Sequence, residues 1–467
     1  MDSKRLRARS WGALDIGLCL AWGAATGWAA GPTAAEQVDR PIAAGVPWSG
    51  LEPLRPAPGW TLAWGGAARR PPVLVADPIG GRVGLHWQSG ELERGPLRAR
   101  SGLGLRTGAT PRWSLEGSEI AYRLGGGYEG HGESGAERNA ERNTERNGEG
   151  DHEIYASVQR RHWGPGWSGS LILDGAAPAV PALGWRRTGV RTSEDNPYLA
   201  WLGPWGGDLF VGRLQGHRQP ARPALIGMRL LWMPVDRFEL GFSRTMMWGG
   251  RGRDESARSL VNSLVGNDNV GFDGITAENE PGNQLAGVDL RWTVDPASRA
   301  SIYLQVVGED EAGHAPSRNF LLLGADAGVP AAGVEGAGAR VFLEWVDLLA
   351  GRASRDPRPG VTYRHSVYRQ GYTQQGVVLG HAAGGDVKLA ITGGRVDAGP
   401  WQATFALALG RAEPSAQFFA PGRVLGSGAL LRVRMDRGMQ LGVGGQWWRD
   451  AQGRRHDWRI WWQGGAW

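Results

Sequence analysis

Ala286-Gly287-Val288-Asp289-Leu290-Arg291-Trp292-Thr293-Val294 changes character at every step. Ala286, Val288, Leu290, Trp292 and Val294 are apolar, while Asp289, Arg291 and Thr293 between them are charged or polar. Side chains of an extended chain point alternately to its two faces, so period two predicts a strand with one apolar face and one polar face. The same pattern recurs in Phe238/Leu240/Phe242 against Glu239/Gly241/Ser243, in Ile154/Ala156 against Glu153/Tyr155/Ser157, and in Ile302/Leu304/Val306 against Ser301/Tyr303/Gln305. It returns near the C-terminus in Trp401/Ala403/Phe405/Leu407/Leu409 and in Met439/Leu441/Val443.

A soluble sandwich also alternates, but its apolar faces must share one finite core. Here the apolar faces continue to the last strand, with no amphipathic helices to cover them. Trp201, Trp205, Trp248, Trp292, Trp345, Trp447, Trp448, Trp461 and Trp462 cluster towards strand ends, as the aromatic girdles of a membrane barrel do. After residue 31 no run of 18 apolar residues occurs, the length a membrane-crossing helix needs. The expectation is an all-β, transmembrane, antiparallel up-and-down β-barrel, with a soluble all-β fold as the alternative. Trp467 ends the chain like the aromatic signal read by the barrel-insertion machinery.

Composition agrees: Gly 76 and Trp 24 in 467 residues are high, and the mean hydropathy of −0.34 is too polar for a helical membrane protein. Lys4, Arg5, Arg7 and Arg9 precede an apolar segment from Trp11 to Trp28 and a run of small residues, so residues 1–30 read as a secretory signal peptide. The single Cys19 falls inside it, which leaves the mature chain without disulfides, thiolate metal ligands or thiol nucleophiles. Formal net charge is +6, almost all of the positive charge arginine. A mild excess spread over this length is no nucleic-acid footprint, but it suits an acidic polymer.

Residues 31–59, rich in Pro, Ala and Gly, read as an irregular periplasmic lead-in, and 60–467 as the barrel. Residues 125–150 are Gly-rich and carry Ala-Glu-Arg-Asn, Ala-Glu-Arg-Asn, Thr-Glu-Arg-Asn over 136–147, a low-complexity stretch that cannot pack a core and is expected to be disordered. Residues 254–282 read as a long ordered loop because they hold Leu260, Val261, Leu264, Val270, Phe272 and Ile275.

No phosphate loop, dinucleotide fingerprint or metalloprotease helix is present. Gly166-Trp167-Ser168-Gly169 approaches a nucleophile elbow but lacks its second glycine. Three clusters carry polar chemistry. Glu309, Asp310 and Glu311 with His314 offer oxygens to a hard cation or a sugar, or form a solvated turn. Glu280 and Asn283 flank a Pro-Gly turn. His365, Tyr368, Tyr372 and His381 combine rings with hydrogen-bonding groups, as carbohydrate recognition requires.

These stretches resemble the Wzi family of capsule-assembly proteins from about Ile154 to the C-terminus. The segments that carry the resemblance are His162-Trp163-Gly164-Pro165-Gly166 through Leu173, Phe238 through Thr245 with Trp248-Gly249-Gly250, Asn279 through Asp289, Gly308 through Gly313, Glu344 through Asp347, and His365 through His381. The resemblance implies an outer-membrane barrel of about eighteen strands. It would act as a lectin that holds capsular or other exported polysaccharide at the cell surface, without covalent chemistry, cofactor or metal. Expected partners are that polymer, outer-membrane lipids and the insertion machinery. Family members usually carry a helical segment before the barrel, for which residues 31–59 are too short and too rich in Pro and Gly. Glu280, Asn283, Glu309, Asp310, His365 and Tyr372 are the candidate ligand-binding residues, or the groups that order the site. A porin or polysaccharide export channel is the alternative function, and an outer-membrane enzyme a third class.

Overall fold

The computed structural model describes residues 59–66, 84–88, 92–94, 97–106, 112–116, 118–124, 151–188, 205–216, 218–235, 237–265, 275–276, 282–295, 300–309, 311–312, 315–316, 318–330, 338–351, 356–435 and 439–463. Residues 1–30, read above as a signal peptide, residues 31–58, the Glu-Arg-Asn repeat, Trp201 and Trp467 lie outside the described residues.

One antiparallel sheet contains 21 strand segments. β1 is Gly59–Gly66. β2 joins Gly84–Gln88 to Leu92–Arg94, β3 joins Leu97–Arg100 to Gly102–Arg106, and β4 joins Arg112–Ser114 to Glu119–Leu124. In each of these three the pairing register shifts by one residue between the halves, as a β-bulge does, so each is one interrupted strand. Counted so, the sheet has eighteen strands. The series continues with β5 Asp151–Ser157, β6 Ala182–Thr188, β7 Trp205–Arg213, β8 Ala224–Val235, β9 Phe238–Trp248, β10 Gly282–Asp295 and β11 Ala300–Glu309. β12 Asn319–Pro330, β13 Gly338–Asp347, β14 Val387–Ala398, β15 Trp401–Ala412, β16 Gly422–Arg434, β17 Gln440–Asp450 and β18 Gly453–Gln463 complete it. Each strand pairs with its neighbours in sequence, and β18 pairs back onto β1 from Thr61↔Gln463 to Gly66↔Trp458, which brings the ring of ladders to its start.

Burial is inverted relative to a soluble protein. Val288, Trp292 and Val294 are 44%, 49% and 51% exposed, whereas Asp289, Arg291 and Thr293 between them are buried. Ile154, Ile302, Phe405, Leu407 and Leu409 are likewise exposed, and Glu153, Tyr155, Ser301, Tyr303, Gln402 and Thr404 buried. The apolar face therefore points outwards and the polar face into the lumen, the arrangement of a barrel whose solvent is lipid.

Inside, buried charges are paired: Arg98 and Arg186 with Glu119 and Glu153, Arg229 bidentate on Asp289 at 2.9 and 3.0 Å, and Arg291 and Arg340 on Asp326. Outward-facing Trp185, Trp205, Trp232, Trp292, Trp401 and Trp462 ring one end of the wall, and Trp248, Trp345 and Trp447 stand near the other. Trp448 and Trp461 depart from the girdle expected of them. They occupy the opposite parity of β17 and β18, are 1% and 2% exposed, and fill the lumen, where Trp448 packs on Phe419.

Successive connections alternate between the two ends. β2 and β3, β8 and β9, β10 and β11, and β14 and β15 are joined at the end where β1 begins and β18 finishes, the turn end. Residues 158–181, 214–223, 249–281 and 348–386 cross at the other, the loop end. Within 254–282, α1 (Ala257–Leu264) is capped by Ser256, whose hydroxyl accepts the Ser259 N–H at 3.1 Å. α1 lies outside the wall: Leu260 and Leu264 pack on Ala224, Ile226 and Met246, and Arg244 donates to the terminal carbonyls of Ser263 and Leu264 at 3.0 and 2.7 Å.

Candidate functional site

The segment 158–181 turns into the lumen between β5 and β6. Trp163, Ser170, Leu171 and Ile172 are wholly buried, and Trp163 meets Phe210 edge to face. Strand side chains from the far wall satisfy its backbone. The Leu171 N–H donates to Gln305 Oε1 at 2.8 Å, and Gln305 Nε2 donates to the Trp163 carbonyl at 2.7 Å. Glu344 accepts the backbone N–H of Trp167 at 2.5 Å and of Ser168 at 3.0 Å, the Ser168 hydroxyl, and the Tyr303 hydroxyl at 2.8 Å. Trp167 Nε1 donates to Asp326 at 3.0 Å, and its indole stacks on Phe342. A segment without regular secondary structure can be buried only when its backbone finds such partners, so the segment is a plug and the lumen's polar residues are its socket.

Residues 348–351 and 356–386 form a cap over the plug, pinned by three tyrosines that are each 0% exposed. The Tyr363 hydroxyl donates to the Leu171 carbonyl at 2.7 Å, Tyr368 to the Gly249 carbonyl at 3.2 Å, and Tyr372 to Thr245 Oγ1 at 2.8 Å. Gly371 has φ +67°, and a Cβ there would stand 2.1 Å from the Tyr363 carbonyl oxygen, so glycine is required at this turn. Arg218, from 214–223, donates to the carbonyls of Thr373 and Gly371 at 2.7 and 2.8 Å, and burial lowers its guanidinium to about 10.

The sequence candidates fall into three groups. Glu309 is 3% exposed and accepts the Tyr363 N–H, Tyr372 is buried as above, and Asn283 is 6% exposed on the lumen side of β10. Glu309 and Tyr372 thus hold the cap, and the Asn283 Nδ2 has no hydrogen-bond partner among the described residues. His365 is half-buried at the cap surface, its ring tilted against Tyr368 with centroids 5.4 Å apart, and its Nδ1 accepts the N–H groups of Val367 and Tyr368. Glu280 and Asp310 lie outside the described residues. What composition and spacing missed is the outward row of the cap. Arg364, Ser366, Arg369 and Gln370 are exposed, and Gln370 Oε1 accepts the N–H of Gln219 at 2.7 Å. The signal was the alternation of buried tyrosine with exposed arginine across Tyr363-Arg364 and Tyr368-Arg369.

A family model described as capsule assembly protein Wzi matches residues 148–447, which span the plug, the cap and most of the wall. The chain belongs to the Wzi capsule assembly family. The Wzi of Escherichia coli, described as an outer membrane protein involved in group 1 capsule assembly and a carbohydrate binding β-barrel, superposes with a TM-score of 0.67 at 22% identity, covering 88% of this chain and 86% of that one. An uncharacterized 55.8 kDa protein in the cps region of Klebsiella pneumoniae is 38% identical over 164 residues, which is 35% of this chain and 31%, about a third, of that relative. OpdL of Pseudomonas aeruginosa superposes with a TM-score of 0.42 at 10% identity, covering 86% of this chain and 94% of that one.

In this Wzi-family barrel the contact between plug and cap holds an imidazole. Burial lowers His381 to about 4 from an ordinary 6.5, with Asp174 pulling it up and His162 pushing it down. A histidine held neutral in the closed cap but free to protonate in an opened one makes closure depend on pH. The contribution is complete above about pH 6.5 and lost as pH falls towards 4, on the order of 3 kcal/mol in full. Asp386, raised by burial in the same cap, acts in the opposite sense. Amide exchange of 348–386 is expected to accelerate from pH 7 to pH 4.5 after correction for intrinsic rates, and His381→Asn to flatten that dependence. Equal pH dependence in the two proteins would remove His381 from this role.

Proposed function

We propose that the protein is an outer-membrane lectin that attaches capsular or extracellular polysaccharide to the cell surface by non-covalent binding, with the loop end facing outwards. The orientation is supported by the turns of two to four residues at the opposite end, 95–96, 236–237, 296–299 and 399–400, which barrels of this kind keep on the periplasmic side, while 125–150 and 189–204 are the long connections of that end. Binding is supported by family membership and by the likeness to a carbohydrate-binding β-barrel. The observation that carries the reading is a segment plugging the lumen beneath the cap: among the described residues plug and cap together occupy the loop end, so the surface offered for function is the outer row of the cap. Arg364, His365, Arg369 and Gln370 present cations, a ring and an amide there, chemistry suited to an acidic sugar. Glu309 and Tyr372 are assigned to ordering that surface, and Glu280, Asn283 and Asp310 are kept as candidates for reaching the polymer.

Ser168 and His381 argue against a hydrolase. Ser168 Oγ stands 3.4 Å from His381 Nε2, but His381 Nδ1 accepts the Ala383 N–H at 3.2 Å. The neutral ring therefore carries its proton on Nε2, facing the serine, and cannot accept the serine's own. Asp174 lies 3.5 Å from His162 Nδ1, and Ser168 is held by Glu344.

Each contact to sugar contributes around 1 kcal/mol or less, and repetition along the polymer multiplies them. Arg364→Gln with Arg369→Gln is expected to weaken binding of the purified barrel to an acidic polysaccharide from its own strain by about tenfold, and to flatten its salt dependence. Unchanged affinity and salt dependence would exclude the cap's cations from recognition.

A further inference from the structure

Five cations stand side by side on the outer wall at the loop end. Lys388, Arg411, Arg423, Arg449 and Arg454 occupy outward positions of β14 to β18, one per strand, and all but the half-buried Lys388 are exposed. Cross-strand register sets Lys388 opposite Arg411, Arg411 opposite Arg423, and Arg449 opposite Arg454. Like charges directly opposite each other destabilise a sheet.

In the lumen, by contrast, Arg98, Arg186, Arg229, Arg291 and Arg340 are each matched by a carboxylate. At the edge of the belt Asp347 pairs with Lys388 at 3.5 Å, and Arg454 lies over the Trp447 ring. Arg411, Arg423 and Arg449 have no hydrogen bond or ion pair among the described residues, and no Asp or Glu occupies an outward position of β14 to β18. The feature is also one-sided. At the turn end the same strands finish outwards in Ala398, Trp401, Val433, Leu441 and Trp462, without a cation. Cations that merely reached for the membrane interface would suit both ends. Directly below the belt the wall is apolar, with Leu409, Leu407, Phe405, Val443 and Ile460 all more than 40% exposed.

We infer that Lys388, Arg411, Arg423, Arg449 and Arg454 form a docking belt for the phosphates of a glycolipid of the outer leaflet, whose acyl chains lie on the apolar wall beneath. The inference rests on the outward orientation of the loop end proposed above. Anionic groups fixed along the row relieve the repulsion that the unmatched cations create. An acidic polymer would relieve it too, but a lipid also explains the apolar surface under the charges and their restriction to one leaflet.

The test titrates the purified full-length barrel in detergent with diphosphorylated lipid A, with the same lipid dephosphorylated, with inorganic phosphate and with alginate. At low salt, wild type is expected to bind the phosphorylated lipid about a hundredfold more tightly than Arg411→Gln/Arg423→Gln/Arg449→Gln does, since each cation near an anionic lipid surface contributes severalfold. Replacement of the same three by lysine should retain the affinity. Equal binding by the glutamine variant, equal binding of the dephosphorylated lipid by wild type, or full displacement by alginate or millimolar phosphate would each overturn the belt. Should the glutamine variant fail to fold, judged by heat-modifiable migration, the comparison of the two lipids on wild type decides alone. Maleimide labelling of Ser366→Cys on intact cells tests orientation separately. Labelling from outside is expected. Labelling only after permeabilisation would overturn the outward orientation, and failed lipid binding with external labelling the belt alone.

Discussion

Replacing Trp163–Leu173 with a glycine–serine linker is expected to turn a silent barrel into a conducting one. An eighteen-stranded wall encloses room for an aqueous channel, and that room is occupied by a segment of the chain rather than by wall side chains alone. Trp163, Leu171 and Ile172 are wholly buried in it, and the segment's backbone is bound to Gln305 and Glu344 on the opposite wall. Removing it exposes those groups to water, which rehydrates them, so they are not left as buried orphans. The wall itself rests on neighbouring ladders that the plug does not join. The variant should therefore insert and fold, and show steady current steps in planar bilayers where wild type shows none. A variant as silent as wild type would mean that wall side chains or the cap close the lumen unaided.

The wall was legible because its cause is local. Alternation in Ala286–Val294 and Trp401–Leu409 depends only on which neighbours are apolar, and every parity read from those stretches is the one observed. Trp448 and Trp461 show where that reading stops. Adjacent tryptophans, as at 447–448 and 461–462, cannot both face lipid on one strand, and which of each pair turns inwards is decided by Phe419 and the lumen rather than by the girdle. The plug was visible as a family-like stretch, His162 to Leu173, but not as a plug. It has no period, and its conformation is set by Gln305, Asp326 and Glu344, more than 130 residues away in sequence.

The site was half legible for a related reason. Glu309, Asn283, His365 and Tyr372 were selected as polar or aromatic groups near turns, and the structure brings Glu309, Tyr372 and His365 into contact with one cap. Composition cannot say which side of a cap a residue faces. That depends on tyrosines 363, 368 and 372 anchoring the inner side, which leaves Arg364 and Arg369 outside. The cation belt has the same character: its members are 12 to 26 residues apart or nearly adjacent in sequence, and only register aligns them.

The largest effect in the cell follows from avidity. A polymer held through many weak contacts to many copies of one barrel stays bound as long as the barrels are present, and is shed when they are absent although its synthesis continues. The most direct measurement deletes the gene in the producing strain and quantifies cell-bound and released polysaccharide. Total polymer is expected to be unchanged, with most of it moved from the cell fraction to the medium, and the wild-type gene should restore attachment where the Arg364→Gln/Arg369→Gln form restores it only in part. A deletion strain that keeps its polymer on the cell would contradict the account, whatever the purified barrel binds.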